Sequence, residues 1–335
     1  MKILINQTLI KQKLFLFSMA IDSKILNIIL IKILDLKPDE SFLVITDKPK
    51  KELAMQIYEY AKKITRSARI EVIKELKING QEPDRKTSEL MLNYDVQFYL
   101  TSKSLSHTNA RRDATKSGHR IISSPGLTED MINRCVDIDY DWLIKLHKKL
   151  GPVVLNSKEI HIKTKAGTDI KTAVHDTRSE SDNLLKNRKE AFGNLPTGEI
   201  DSGITREKTN GIIVFDGSFP GIGILKNRVK IGVVKGSGKI ILDNKEAKKI
   251  NQILSSVGEK AFLLAELGIG TNPKAKITGN ILEDEKVLGT VHFAFGNDLS
   301  YNGTNDVPLH LDGIIKEPTI EIDGKTIMKN GKLLI

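Results

Sequence analysis

Phe42-Leu43-Val44-Ile45-Thr46 is a short apolar run closed by Asp47, and an amphipathic segment, Lys50–Thr65, follows it. A run of this kind suits a strand covered on both faces, as in a parallel sheet. Leu53, Ile57, Tyr60, Ala61 and Ile64 then recur at helical spacing. The alternation continues downstream. Arg69–Lys74, Val96–Leu100 and His119–Ile122 read as strands, and Thr87–Leu92 and Asn109–Ser117 as the helices between them. Further helices are expected around Thr128–Arg134 and Asp141–Leu150. Strand–helix alternation at this interval predicts an α/β fold with a doubly wound parallel sheet.

Upstream, Ile25–Leu36 is apolar but divided by Asn27, Lys32 and Asp35. It falls short of the ~20 residues a membrane span needs and reads as a buried helix. Residues 1–23 read as an N-terminal extension. Their longest apolar run, Leu14–Phe17, is below the roughly 7–15 residues of a signal-peptide core, and Met19 offers an internal start. The expected location is cytoplasmic, with no membrane association.

The texture changes at Gly151-Pro152. Short alternating runs follow, including Glu159–Lys163, Gly211–Phe215, Val229–Val234 and Lys239–Leu242, separated by Gly and Asn. One helix, Asn244–Val257, interrupts them. Period-two patterning predicts antiparallel strands. The chain of 335 residues is therefore read as an α/β domain over 24–150 and a β-rich α+β domain over 151–335, in keeping with roughly 100–200 residues per domain.

Lys and Arg total 52 against 42 Asp and Glu, a net charge of +10. The lysine clusters fall on amphipathic helices beside acidic residues, so they read as solvated faces. Aromatics are 5% of the chain and do not alternate with arginines, which argues against a nucleic-acid partner. The single cysteine, Cys135, excludes an internal disulfide and any cysteine-cluster metal site. Metal chemistry must then use His, Asp and Glu. Gly221-Ile222-Gly223 and Gly268-Ile269-Gly270 lack the spacing of a dinucleotide fingerprint, and no Gly-x-Ser-x-Gly or His-Glu-x-x-His occurs.

Hard ligands remain, all in the second domain. His310-Leu311-Asp312 places an imidazole and a carboxylate at i and i+2, on one face if the segment is a strand. His292 lies in the apolar run Val287–Phe295, and Glu266 in the apolar run Phe262–Gly270. A buried carboxylate needs a cation or hydrogen-bond donors; a lysine or a metal would serve. Glu199 enters a strand from the turn-rich Gly193–Gly198. Each residue alone has an ordinary structural reading, but together they point to a shared metal centre. In the first domain His107, Arg111 and Arg112 follow a strand end, where open parallel sheets place ligand groups. Arg111 is the candidate for holding a substrate carboxylate.

The second domain resembles the aminopeptidase T/aminopeptidase S family of metallopeptidases. The resemblance is carried by Asn194–Glu199, Ala265–Pro273, Leu282–His292, His310–Gly313 and Pro318–Gly324, and more loosely by Thr101–Thr108 and Ser124–Thr128. It implies a two-metal aminopeptidase, a hydrolase, whose ligands fall on Glu199, Glu266, His292, His310 and Asp312. The ions would be Zn, Co or Mn, with Glu199 or Glu266 as a general base if either is not a ligand. It also implies a homodimer and a peptide or small-molecule substrate. Where the peptidases carry a tyrosine seven residues after the strand histidine, this chain has Leu299; Tyr301 is the candidate to take its place from a shifted loop. A related mononuclear Fe(II) ring-opening dioxygenase acting on a dihydroxypyridine supplies the alternative, with His292, His310 and Asp312 as a facial triad. A non-catalytic binding relative is the third reading.

Overall fold

Ser41–Asp47 is the strand predicted at Phe42, and Ser67–Ile73 and Val96–Leu100 flank it in parallel, Val44 lying between Ile70 and Phe98. The computed structural model describes residues 21–179 and 191–335. The extension expected over 1–23, with Met19, lies outside the described residues except for Ile21–Ser23. The first sheet has the order Ser67–Ile73, Ser41–Asp47, Val96–Leu100, Arg120–Ser123, Phe192–Asn194, with every pairing parallel. Val96–Leu100 is buried along its whole length, whereas the edge strand Ser67–Ile73 alternates between exposed and half-buried.

Helices Lys51–Ala61, Arg85–Met91, Asn109–Lys116, Glu129–Cys135 and Tyr140–Leu155 accompany this sheet. Asp84, Thr108, Thr128 and Asp139 start four of them by accepting a hydrogen bond from a first-turn backbone N–H, which satisfies a donor the helix itself leaves open. The helix expected over Ile25–Leu36 is an α-helix, Ser23–Asn27, continued by wider π turns over Ile28–Ile33. The wider turns keep Ile29, Leu30, Ile33 and Leu34 all fully buried.

Two features depart from the sequence reading. Helix Tyr140–Leu155 continues through Gly151-Pro152; the proline falls in the last turn, and Asn156 N still donates to Pro152 O. Pro152 costs the helix one donor, yet the helix runs on to Leu155. Phe192–Asn194 then returns to the first sheet beside Arg120–Ser123. Three residues with one large apolar side chain leave no periodic signal from which to predict it.

The C-terminal half is built on antiparallel sheets. An eight-stranded sheet runs Ser237–Ile240, Val229–Val234, Asn210–Phe215, Asp169–Thr172, Ile160–Lys163, Thr319–Ile322, Lys325–Lys329, Lys332–Leu333. A five-stranded sheet runs His310–Lys316, Thr290–Gly296, Leu264–Gly270, Glu199–Ile204, Val174–Ser179. Their facing sides form one apolar core with helix Lys245–Ser255, which contributes Ala247, Ile250 and Leu254. Phe215 of the larger sheet meets Phe295 of the smaller edge-on, ring centroids 6.3 Å apart. Among the described residues no helix is long and apolar enough to cross a membrane.

Candidate metal centre

The five-stranded sheet has two unlike faces. Ile200, Leu267, Ile269, Val291, Phe293, Phe295 and Ile315 point into the core. The opposite face carries Glu199, Asp201, Glu266, Gly268, His292, Ala294, His310 and Asp312, because side chains alternate along each strand. Register completes the arrangement: Glu266 lies opposite Ala294 and Ala294 opposite Asp312, while Gly268 lies opposite His292. The small residues make room for the large ones. A methyl group at Gly268 would overlap the His292 imidazole, so the glycine belongs to the site's shape.

Glu266 accepts from both histidines, at 3.1 Å from His292 Nε2 on one oxygen and 2.8 Å from His310 Nε2 on the other. His310 Nε2 is 3.4 Å from Asp312 Oδ1, and His292 Nε2 is 3.5 Å from Glu199 Oε2. Glu199–Glu266–His292 and Glu266–His310–Asp312 each bring three donor atoms within 4.8 Å of one another. The two clusters form a candidate divalent-metal site built only of oxygen and nitrogen donors. Asp312 Oδ1 is buried and makes no hydrogen bond, which is costly for a polar atom unless a cation is to be bound. His310 Nδ1 lies 2.7 Å from the Asn297 carbonyl, which can only accept. The proton is thereby held on Nδ1, and Nε2 is the nitrogen available to an ion.

The electrostatics match this geometry. Burial alone would raise the Glu266 carboxyl, but hydrogen bonds from His292 and His310 hold it well below the ordinary carboxylate range. Burial opposes charge on His310, yet Asp312 and Glu266 raise it well above the ordinary imidazole value. Burial opposes charge on His292 too, yet Glu266, Asp312 and Glu285 together raise it above the ordinary value. Without metal the site is thus a carboxylate held between two histidines whose protonated forms it favours.

A cleft of about 700 Å³ opens onto this site, with His310 and Asp312 in its wall. Its far side comes from loops at the carboxyl ends of the first sheet's strands. Asp47 accepts from Ser102 N and Oγ, Ser106 Oγ donates to Ser123 Oγ, and Asn194 Nδ2 donates to Ser123 O. These bonds fix the loop that carries His107. The His107 ring stacks on His310 with centroids 5.0 Å apart and lines the cleft. Burial, together with the charges of His310 and Arg111, holds His107 well below its ordinary value, so it is neutral at pH 7.

The other candidates are placed elsewhere. Arg111 does not line the cleft: its Nε donates to Ser106 O and its guanidinium lies over the Phe192 ring, 4.1 Å away. Its neighbour Arg112 does line it. Tyr301 donates to Asp201 Oδ2 at 2.6 Å and is likewise not part of the cleft wall. Cys135 is buried, and burial and Glu283 push its thiol up to about 12. Sequence reasoning missed Lys286. Its ammonium, fully buried, is held by Glu199 and, at 2.9 Å, by Glu285. Glu285 lines the cleft; burial raises its carboxyl to about 7 against the pull of Lys286. Nothing in the sequence separated this lysine from the many surface ones.

The model of the NicX family, 2,5-dihydroxypyridine 5,6-dioxygenase, matches residues 31–335. The chain belongs to that family. Two solved structures share its fold. One is 2,5-dihydroxypyridine dioxygenase from Pseudomonas putida KT2440, with 14% identity, TM-score 0.80, and coverage of 93% of this chain and 96% of that one. The other is wild-type AmpT from Thermus thermophilus, with 15% identity, TM-score 0.66, and coverage of 93% and 98%. Comparison with curated proteins returns no match.

Family membership corrects the resemblance drawn from the sequence. The chain is not an aminopeptidase T/S family member, and the expected aminopeptidase, protease and hydrolase activity is replaced by a dioxygenase family assignment. The reason for the error is physical. The motifs that suggested a peptidase are those that build the ligand-bearing sheet, and the fold is shared with AmpT, so they report the scaffold and not the reaction.

Proposed function

We propose that this protein is a mononuclear Fe(II) ring-opening dioxygenase acting on a small hydroxylated nitrogen heterocycle of the dihydroxypyridine class. The observation that carries the reading is the Glu266–His310–Asp312 cluster, with two of its members in the wall of a cleft large enough for such a ring. Family membership supports it. The donor set fits Fe(II), which accepts mixed imidazole and carboxylate ligands, and His310, Asp312 and Glu266 are the residues that would hold the ion. When bound, ferrous iron supplies the redox chemistry by which dioxygen reacts with an electron-rich ring.

The chain's own residues have separate tasks. His107, neutral at pH 7, is the base positioned to take a proton from a substrate hydroxyl, close to the metal ligand it stacks on. Arg112 lines the same cleft and offers hydrogen-bond donors to substrate oxygens. Asn297 holds His310 in its ligating tautomer. The test is oxygen consumption by Fe(II)-loaded protein with hydroxylated pyridines: uptake matched to loss of the ring's ultraviolet absorbance supports the reading, and no uptake with any of them refutes it.

A further inference from the structure

Among the described residues the cleft wall holds four acids, and each is already committed. Glu82 accepts from Asn109 N and Ala110 N at the start of helix Asn109–Lys116, and Glu285 pairs with Lys286. Asp306 accepts from Asn297 Nδ2, and Asp312 belongs to the metal cluster. The same wall holds one lysine, Lys103, and one arginine, Arg112, and no carboxylate meets either among the described residues. Lys103 belongs to Thr101–Thr108, a stretch that carries the peptidase resemblance, whereas Arg112 lies outside all such stretches. Half-buried, Arg112 is fixed by two bonds, from Nη1 to His107 O at 3.0 Å and from Nη2 to Asn109 Oδ1 at 2.7 Å. A guanidinium has more N–H donors than these bonds use, so Nε and one hydrogen on each Nη stay open beside His107.

We propose that the ring this cleft takes carries an ionised carboxylate, which Arg112 holds while the ring's hydroxyl groups face His107 and the metal cluster. This rests on the dioxygenase reading and narrows its substrate class. The planar fork of a guanidinium matches the two oxygens of a carboxylate, a fit that a neutral substituent lacks. Space permits the larger substrate. The cleft of about 700 Å³ lies within the roughly 300–1,000 Å³ that takes drug-sized ligands, so a single six-membered ring leaves room for a substituent. Ile281, Leu282, Val307 and Leu309, from the antiparallel half, give the same cleft apolar surface for the ring. The carboxylate-holding role expected of Arg111 thus passes to its neighbour.

The test compares 2,5-dihydroxypyridines bearing a carboxylate at ring carbon 3 or 4 with the carboxamides of matching size, by oxygen uptake of the Fe(II)-loaded full-length chain. The ratio of kcat/KM, carboxylate over carboxamide, is read within each protein, so a general loss of activity cancels. Wild type is expected to favour one of the carboxylates by about tenfold or more, through KM, the scale of a charge-assisted hydrogen bond. Arg112→Gln, whose amide can still donate to the His107 carbonyl, and Arg112→Met are both expected to bring that ratio within about twofold of unity. A wild-type ratio near unity for both carboxylates overturns the proposal whatever the variants do, and so does a wild-type preference that survives in either variant with native circular dichroism. Anaerobic equilibrium dialysis of pyridine-3- and pyridine-4-carboxylate against their carboxamides reads the same preference without turnover. A carboxylate preference there that Arg112→Gln abolishes, with no ring opened, upholds the anion site and defeats only the proposed reaction. Ring opening with no carboxylate preference defeats only the substituent, and neither preference nor turnover defeats both.

Discussion

His107, from the parallel-sheet half, lies stacked on His310, from the antiparallel half, with ring planes 22° from parallel. His107 Nδ1 is also 3.2 Å from Ser300 Oγ. The two halves of the chain therefore meet at the site, and each supplies a histidine with a different charge state. His310 is drawn towards the cation by its carboxylates, and His107 is kept neutral by burial and by that same positive charge.

Replacing His107 with Phe keeps the stack and removes the base. Metal content is expected to be unchanged, while kcat falls by roughly 10²–10⁴, the usual contribution of a positioned base. Parallel elemental analysis and steady-state oxygen uptake measure both. A kcat within twofold of wild type would remove His107 from the mechanism.

His310→Ala takes away the nitrogen whose tautomer Asn297 fixes. Bound metal is expected to drop below a tenth of an ion per chain, with the far-ultraviolet circular dichroism retained, since His310 lies at the start of an edge strand of its sheet. Full metal content in this variant would place the ion elsewhere.

Metal and protons compete for the same atoms. His310 has a folded value above 6.5, so in the metal-free chain its ion pairs stabilise the fold below pH 6.5, and that stability is lost as pH rises through the raised value. An ion needs Nε2 unprotonated. Its stabilisation is therefore expected to grow between pH 6 and pH 8, and binding near pH 7 to release protons. Thermal unfolding with and without Mn(II) across that range, and calorimetry in buffers of different ionisation enthalpy, provide the check. A metal-induced Tm shift that shrinks with rising pH would contradict it.

Gly268→Ala puts a methyl where the His292 imidazole sits. Overpacking of this kind costs about 1–3 kcal/mol, and the displaced ring also loses its bond to Glu266. Chemical denaturation should show the loss of stability, accompanied by weaker metal binding. Phe215→Ala, across the sheet in the core, should cost more, about 3–5 kcal/mol, with metal affinity preserved in the folded fraction. Equal effects of both variants on metal affinity would mean that the two faces of the sheet are not separable.

The parallel sheet was legible because Phe42–Thr46 and Val96–Leu100 are continuous apolar runs, the signature of strands with both faces covered. Helix Lys51–Ala61 was legible because its apolar residues recur at helical spacing. Phe192–Asn194 was not, being too short to show a period. Glu266 and His292 stood out as polar residues in apolar runs, and the structure brings them beside His310, Asp312 and Glu199. The reaction was not legible, because the motifs that stood out build the ligand-bearing sheet, and that fold is shared with AmpT. Arg111 and Arg112 are adjacent in sequence, and only the packing of Arg111 on Phe192 shows which of them faces the cleft.

Oxygen uptake by anaerobically reconstituted Fe(II) protein, given 2,5-dihydroxypyridine under an oxygen electrode, tests the central claim most directly. One dioxygen consumed per ring opened, abolished by Asp312→Ala, is the predicted result. No uptake, with Leu-p-nitroanilide cleaved instead by Zn-, Co- or Mn-loaded protein, would contradict it.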